Sequence, residues 1–398
     1  MINQQLIKSV NKKELYTMIS ENPGISRAQL ASLRKLSKTT VSALVEELIQ
    51  EGYIIDEGAV ESRSQGRRPN SLVINDRRDC IVVLNWRKRM IQTALVSASF
   101  EVELVEETGP VPLQKPAEMI GDLIDDFVER YGRERHILGV CLIVPGIVDS
   151  ERKRVISMVL PLKEDNRILA ELRQQIDHGY PLSVFNDTAC FAYAENVFGD
   201  VDINNYAYLN ISEGVGASLI QNGAILMGAT GMGTQFGHFS IDRYGELCSC
   251  GNRGCLENRI GEMALRKRAE ERGALEEFQG LEQILFKDVA QLAREGKPGA
   301  SALLCDLADD LSFALGNLIT MFHPDTIIIG GMGRKLGEMY LSRIRSNLGE
   351  VGFRQFVEDV DIRFTRLRED AIFRGAAKYY LDTHYNFMEE MSGKLFLY

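Results

Sequence analysis

Between positions 248 and 255 the chain reads Cys248-Ser249-Cys250-Gly251-Asn252-Arg253-Gly254-Cys255, three thiols within eight residues. Few features constrain a fold more. Thiols this close in sequence converge on one tetrahedral ion when glycines permit the turn, and Gly251 and Gly254 permit it. A fourth ligand is needed, and His238 lies ten residues upstream. Zinc suits a Cys₃His set because it accepts soft thiolates and needs no redox partner. With four protein ligands such an ion is closed and structural; activating a water would require an open position. The alternative is three buried or redox-active cysteines beside an unrelated histidine.

At 398 residues the chain is long enough for two or three domains, each with its own core. Hydrophobic residues at 45% and charged residues at 26% exclude a disordered or collagen-like chain. No apolar run reaches the ~20 residues that cross a bilayer, and Met1-Ile2-Asn3-Gln4-Gln5 does not open a secretory signal. Seven cysteines, an odd number with three of them clustered, argue against a disulfide framework. A cytoplasmic location with no membrane partner is expected.

The net charge of −10 alone disfavours nucleic acid as a partner, but the charge is uneven. Residues 1–75 hold ten Lys/Arg against eight Asp/Glu, so a slightly basic head precedes an acidic body. In the head, Leu15, Met18 and Ile19 give helical spacing over Asn11–Glu21, and Asn22-Pro23-Gly24 breaks it. Ser26 with Gln29 forms a capping box for a second helix. Ser37 caps a third, from Lys38 to Gln50, whose inner face is Val41, Leu44, Val45 and Leu48. Lys38, Thr39, Thr40 and Ser42 stand near the exposed start of that helix. Two helices joined by a tight turn, the second opening with small polar and basic residues, form a helix-turn-helix; a plain helical bundle fits the apolar stripes too. Gly52–Ile55 and Ser71–Ile74 read as a hairpin, with Arg67 and Arg68 on the loop between, where they can reach phosphates or a minor groove.

From residue 80 apolar strands alternate with amphipathic helices: strands over 80–84, 93–97, 102–106 and 137–144, and a helix over 117–130. Tyr206–Ile211 and Ala217–Gln221 open a second such unit. Two α/β lobes with a cleft between them suit a small-molecule site.

Three stretches of the head resemble the winged helix-turn-helix of the repressor branch of the ROK family (repressors, open reading frames and kinases). They are Ser26-Arg27-Ala28-Gln29-Leu30-Ala31, Leu36-Ser37-Lys38-Thr39-Thr40-Val41-Ser42 and Gly66-Arg67-Arg68-Pro69. Gly237-His238 followed by Cys-x-Cys-Gly-Asn-x-Gly-Cys-x-Glu, ending at Glu257, is similar to the family's zinc motif. The resemblance implies an N-terminal winged helix-turn-helix followed by a two-lobed, actin-like (sugar kinase/hsp70-type) α/β fold. It implies a DNA-binding head at 1–75, a first lobe at 76–190 completed by a helix over 371–398, and a second lobe at 191–370 carrying the zinc motif. It also implies operator DNA contacts from Arg27, Ser37, Lys38, Thr39, Thr40, Ser42, Arg67 and Arg68. Structural Zn²⁺ is implied on His238, Cys248, Cys250 and Cys255. A sugar or sugar-phosphate effector is implied on Asn186, Asp187, Gln235, His238 and Glu257, and a homodimer or homotetramer as the assembly.

The sequence departs from the family at Gln235, at Asn85–Arg89 and at Glu213, and keeps Asp187. Gln235 stands where the family has a sugar-binding glutamate, and an amide keeps the hydrogen bonding without the charge. Asp187, in Phe185-Asn186-Asp187-Thr188-Ala189-Cys190, holds the place of the kinases' catalytic base, although Asn-Asp after a strand is also an ordinary helix cap. The family's phosphate hairpin, Asp-x-Gly-x-Thr, corresponds to Asn85-Trp86-Arg87-Lys88-Arg89, which has neither the acid nor the glycine. Ser212-Glu213-Gly214-Val215-Gly216-Ala217 keeps part of a second phosphate loop, with Glu213 where the kinases carry threonine, and Ile327-Ile328-Ile329-Gly330-Gly331 resembles the nucleotide-side turn.

The expected function is therefore a non-enzymatic, DNA-binding regulator of sugar metabolism genes, acting as a repressor. The competing readings are a sugar kinase with an accessory head and a regulator controlled by a protein partner.

Overall fold

Ser26 and Gln29 exchange two hydrogen bonds at the start of the second helix: the Ser26 N–H donates to Gln29 Oε1 at 2.9 Å and the Gln29 N–H to Ser26 Oγ at 3.3 Å. This reciprocal cap satisfies donors that a helix start leaves orphaned, and a cap of this kind contributes about 1 kcal/mol. The computed structural model describes residues 4–59, 70–75, 79–88, 90–111, 114–133, 135–160, 162–176, 180–199, 204–228 and 233–383.

The head has helices α1 (Gln4–Glu21), α2 (Arg27–Arg34) and α3 (Lys38–Gln50), then strands β1 (Ile54–Ala59) and β2 (Asn70–Ile74), paired antiparallel. Helix α1 starts seven residues before the expected Asn11, because its first turns carry too few apolar residues to read as a stripe. Lys35 takes the left-handed conformation that ends α2, and Ser37 Oγ accepts the Thr40 N–H at 3.0 Å to start α3. Val41, Leu44, Val45 and Leu48 recur at i, i+3, i+4 and i+7 and are buried against Leu15, Ile19, Leu30 and Leu72. The first strand begins at Ile54 rather than Gly52, whose positive φ of 79° belongs to the preceding turn.

The body continues with β3 (Asp79–Trp86), β4 (Ile91–Ser97), β5 (Val102–Thr108), α4 (Pro116–Tyr131), β6 (His136–Val144), β7 (Ile147–Asp149), β8 (Arg154–Ile156), α5 (Ile168–Gln175), β9 (Leu182–Asn186) and α6 (Asp187–Phe198). Then follow β10 (Tyr206–Ile211), β11 (Val215–Gln221), β12 (Ala224–Ile225), α7 (Glu257–Ile260), α8 (Leu265–Glu271), α9 (Phe286–Arg294), α10 (Pro298–Phe322), β13 (Thr326–Gly330), α11 (Gly337–Leu348), α12 (Arg354–Val357), β14 (Asp361–Phe364) and α13 (Ala371–Thr383). In the described residues one five-stranded sheet runs β5-β4-β3-β6-β9 and another β12-β11-β10-β13-β14. Each opens with antiparallel hairpins, and in the second sheet β13 lies parallel to both β10 and β14. Strand β3 is buried along its whole length, as its apolar run requires; β5, on a sheet edge, alternates in and out.

The chain gathers into two compact units, residues 1–142 with 171–184 and 376–398, and residues 143–170 with 185–375. In the first unit, α13 packs on β6: the Tyr380 hydroxyl donates to Leu138 O at 2.9 Å, over a Gly139 whose missing Cβ leaves room for the ring. The expected terminal helix over 371–398 is described to Thr383; residues 384–398 lie outside the described residues. The second unit's core joins β10, β11 and β13 to the long helix α10 and to α9 and α11. No helix among the described residues is long and apolar enough to cross a membrane.

Candidate functional site

At the head, burial sorts α3 into two faces. Its apolar side is used in the core, while Ser37, Lys38, Thr39, Thr40 and Ser42 are exposed on the other. The Ser37 hydroxyl also lies 2.8 Å from Thr39 Oγ1 and 2.7 Å from Thr40 Oγ1, a cluster that presents hydroxyls at a helix N-terminus, where anions bind well. Arg27 is placed differently. Its guanidinium is 3.3 Å from Asp56 and 3.6 Å from Glu46, so it braces the start of β1 against α3. Arg67 and Arg68 lie outside the described residues.

The knuckle forms as its spacing requires. The Cys248 N–H donates to Asn252 O at 2.7 Å and the Gly251 N–H to Cys248 O at 2.9 Å, closing a tight loop. Gly254 sits at φ 62° with Asp242 O against its Cα, so a Cβ there would displace the backbone. The result is four ligand atoms, from His238, Cys248, Cys250 and Cys255, all within 4.8 Å of one another. Cys250 Sγ is 3.6 Å from Cys255 Sγ, and Cys248 Sγ is 3.7 Å from His238 Nδ1. A tetrahedral ion with ~2.3 Å bonds to sulfur and ~2.0 Å to nitrogen has edges of about 3.8 Å and about 3.5 Å. The spacing fits such an ion, and the sulfurs are far beyond the ~2.05 Å of a disulfide. Burial and the neighbouring thiols push the Cys255 thiol up. Burial also opposes ionisation of Cys250, but the Asn252 N–H and the other two thiols outweigh it and hold Cys250 below its usual value.

Of the expected effector residues, Asp187 and Glu257 are bonded to the strands that flank the β10–β11 turn, and His238 stands in the knuckle. Asn186 is the N-cap of α6: its Oδ1 accepts the Ala189 N–H at 3.0 Å while its Nδ2 donates to Gly146 O at 2.8 Å. The Asp187 carboxylate accepts from the Thr188 N–H at 2.7 Å on Oδ1 and from Asn210 Nδ2 at 3.1 Å on Oδ2. Glu257 reaches the same turn from α7, its Oε2 accepting the Val215 N–H at 2.9 Å. Gln235 precedes the single helical turn Phe236–His238 and is exposed, with Nε2 donating to Gly233 O at 3.3 Å. Asn258, beside Glu257, lies 3.8 Å from Cys248 Sγ, so the knuckle and the Glu257 carboxylate share one short helix.

Asn210 escaped the sequence reading, and Ser212 entered it only as the start of a phosphate loop. Ser212 Oγ donates to Asn210 Oδ1 at 3.2 Å and accepts the Met332 N–H at 3.2 Å. Asp187 is thereby tied through two side chains to the turn after β13. The available signal was an amide inside the otherwise apolar strand Tyr206–Ile211.

Each glycine that reads as part of a phosphate loop has another part of the chain close to where a Cβ would stand. A Cβ on Gly214 would come within 2.6 Å of Glu257 Oε2, and one on Gly216 would meet Thr188 Oγ1. Gly330 accommodates the Tyr208 hydroxyl, and Gly331 packs on Asn210 and Ser212. In the first hairpin, Asn85 and Trp86 are strand residues; Asn85 Nδ2 donates to Gln92 Oε1 at 3.2 Å and the indole is buried. The turn itself is Arg87 to Met90, closed by the Arg87 N–H on Met90 O at 2.8 Å, with Arg89 outside the described residues. No carboxylate stands at position 85 to hold a magnesium ion.

The ROK family model matches residues 88–383 and a winged helix-turn-helix DNA-binding model matches residues 9–55. The chain belongs to the ROK family. It is 29% identical to the xylose repressor of Caldicellulosiruptor bescii over 94% of this chain and 96% of that one. Identity to the DNA-binding transcriptional dual regulator NagC of Escherichia coli is 26%, over 89% and 88%. A crystal structure described as a ROK family transcriptional regulator, homologue of E. coli Mlc, superposes with a TM-score of 0.77 at 26% identity, covering 93% of this chain and 95% of that one. A ROK glucokinase from Streptomyces griseus superposes at 0.63 with 23% identity over 75% and 98%, which shows the actin-like fold alone. With a DNA-binding head joined to a ROK body, the chain is a transcriptional regulator of the family's repressor branch.

Proposed function

We propose that this regulator represses sugar-metabolism genes and releases its operator when a sugar or sugar phosphate binds the ROK body. The observation that carries the reading is the exposed polar and basic row Ser37, Lys38, Thr39, Thr40 and Ser42 on a helix whose other face is used in the core. These residues enter a major groove, two heads of a homodimer or homotetramer meeting the two halves of an operator. Arg67 and Arg68 meet phosphates or the minor groove, and Arg27 adds a phosphate contact at the edge of the head. By role, residues 1–75 read DNA, 76–190 with 371–398 form the first lobe and 191–370 the second. The regulator works in the cytoplasm.

His238, Cys248, Cys250 and Cys255 hold zinc, which supplies no chemistry beyond bracing the segment that carries Gln235 and Glu257. Asn186, Asp187, Gln235, His238 and Glu257 make the effector site. Its ligand belongs to the class named in the relatives, a pentose such as xylose or an N-acetylamino sugar, free or phosphorylated. The protein transfers no phosphate, because Asn85–Arg89 supplies neither the magnesium-holding acid nor the glycine turn, and Glu213 would repel ATP.

The test is an operator fragment selected from the regulator's own genome, titrated with protein and then with a panel of pentoses, hexoses and amino sugars. One of them should lower operator affinity at least tenfold, which needs about 1.4 kcal/mol of coupling. If no sugar shifts the operator isotherm, the switch is rejected. Sugar-dependent consumption of ATP, abolished by Asp187→Ala, would establish a kinase instead.

A further inference from the structure

Helix α7 is a single turn, Glu257–Ile260, too short to hold its shape without tertiary partners. It nevertheless carries Glu257, whose carboxylate lies so close to Gly214 that a Cβ there would stand 2.6 Å from Oε2. Backbone bonds fix the ends of the segment: the Leu256 N–H donates to Phe239 O at 3.0 Å and the Glu262 N–H to Ser212 O at 2.9 Å. Leu256 and Ile260 are buried in the core of the second unit. Apolar burial has no direction, however, and does not by itself set the roll of the turn about its axis.

Arg259 supplies the direction. It leaves the turn about 200° around from Glu257, on the opposite side. Its Nε lies 3.2 Å from Asp310 Oδ2 on α10, the long helix of the core. The same oxygen accepts Arg268 of α8 at 3.0 Å, and Arg268, only 7% exposed, also reaches Glu271 at 3.1 Å and Asp306 at 3.6 Å. Asp306 and Asp310 stand one turn apart on α10, a like-charge pairing that costs stability unless cations intervene. Arg259, Arg268 and Arg272 are those cations. An exposed ion pair contributes little, but burial pushes the Asp310 carboxyl up against the pull of both guanidinium groups, so this pair is largely withdrawn from water. Removing one partner there leaves a charge without compensation.

We propose that Arg259 and Asp310 are positioning residues: their ion pair sets the roll of α7 and so holds the Glu257 carboxylate where it bonds Val215 and meets the effector. Helix α10, anchored in the core along its length, is the fixed side of the pair, and the single turn of α7 is the side that moves. The functional consequence rests on the reading of Glu257 as an effector contact. The placement of Glu257 does not, because the Val215 N–H reports it without any sugar.

The full-length, zinc-loaded protein is compared with its Arg259→Gln, Arg259→Lys and Asp310→Asn variants by hydrogen–deuterium exchange at the Val215 amide, with Glu257→Ala as the reference for an orphaned N–H. Exchange should be about tenfold faster or more in Arg259→Gln and Asp310→Asn, and close to wild type in Arg259→Lys, which keeps the charge. The double variant Arg259→Gln/Asp310→Asn should exchange no faster than Asp310→Asn alone, as partners in one pair require. Arg259 is partly exposed, so Arg259→Gln should keep its zinc content and the protection of the α10 amides. Titrated with D-xylose, D-glucose and N-acetylglucosamine, the wild type should bind one of them, and Arg259→Gln should raise that Kd about tenfold. Val215 protection unchanged in both Arg259→Gln and Asp310→Asn overturns the proposal, as does an Arg259→Lys that exchanges as fast as Arg259→Gln. A Kd unchanged in Arg259→Gln, where Glu257→Ala raises it, overturns the functional consequence. If none of the sugars binds, or Glu257→Ala binds as tightly as the wild type, the effector reading falls, and Val215 exchange alone decides whether the pair positions Glu257.

Discussion

Glu257 and Val215, 42 residues apart in sequence, are joined by one hydrogen bond of 2.9 Å from the backbone N–H to the carboxylate. The bond ties the helix that follows the cysteine knuckle to the turn below Asp187. Replacing Glu257 with Ala orphans the Val215 N–H and removes a proposed sugar contact, so the thermal stabilisation by the effector should vanish. Glu257→Gln keeps an acceptor for Val215 and should retain part of it. Zinc content and effector-free operator affinity should stay at wild-type values in both; a sugar response undiminished in Glu257→Ala would remove the residue from the effector site.

Metal removal should loosen the same region. One zinc per chain is expected by elemental analysis, and Cys250→Ala should lose it. Loss of about 2–3 kcal/mol in a unit of this size lowers the melting temperature by about 5–10 °C. The check is differential scanning calorimetry with and without chelator, and an unchanged transition would leave the knuckle without a structural ion.

The DNA contacts predict a salt signature. Lys38→Ala should weaken operator binding and reduce the slope of log K against log salt by about 1, and Arg67→Ala/Arg68→Ala by up to about 2. Thr39→Ala should instead change discrimination among operator variants with the slope intact. Fluorescence anisotropy across a salt series separates these outcomes.

Acid should undock α1 from α3. Lys8 is 2.7 Å and Lys12 3.6 Å from Glu47, and Lys12 also meets Glu51 at 2.5 Å. Partial burial raises the Glu47 pKa, but the two ammonium groups outweigh it and hold the carboxyl below its ordinary range. Because the folded value is the depressed one, this stabilisation is complete above the unfolded value of about 4.3 and is lost as the pH falls through the folded one. Melting temperature followed from pH 6 downward to about pH 3 should fall more steeply in the wild type than in Glu47→Gln. Parallel curves would show that the pair contributes nothing to the linkage.

What could be read from the sequence was whatever is local along the chain. The capping box of Ser26 and Gln29, the cap at Ser37, the i, i+3, i+4 face of α3 and the knuckle of Cys248 to Cys255 each lie within one or two turns. Their geometry follows from spacing alone. What stayed hidden depends on partners far away in the chain. Arg27 is legible as a cation beside a helix start, but its ion pair with Asp56, 29 positions on, is not. Gly214, Gly216, Gly330 and Gly331 read as nucleotide loops, yet each borders a side chain that only the fold delivers: Glu257, Thr188, Tyr208 and Asn210. A glycine records that something comes close; it does not record what.

The seat of Tyr380 against Gly139 has a bearing on how the molecule is made. The two residues are 241 positions apart, yet they belong to one unit whose earliest segment is synthesised first and whose closing helix is synthesised last. Residues 185–375 are all synthesised before the tyrosine is, while β6 waits with its Leu138 carbonyl uncovered. A chain released before position 376 therefore carries every segment of the second unit but lacks the closing segment of the first, although the first began to appear earlier. The order of synthesis and the order of completion are opposite, which leaves the incomplete sheet as the surface for chaperones to guard during translation.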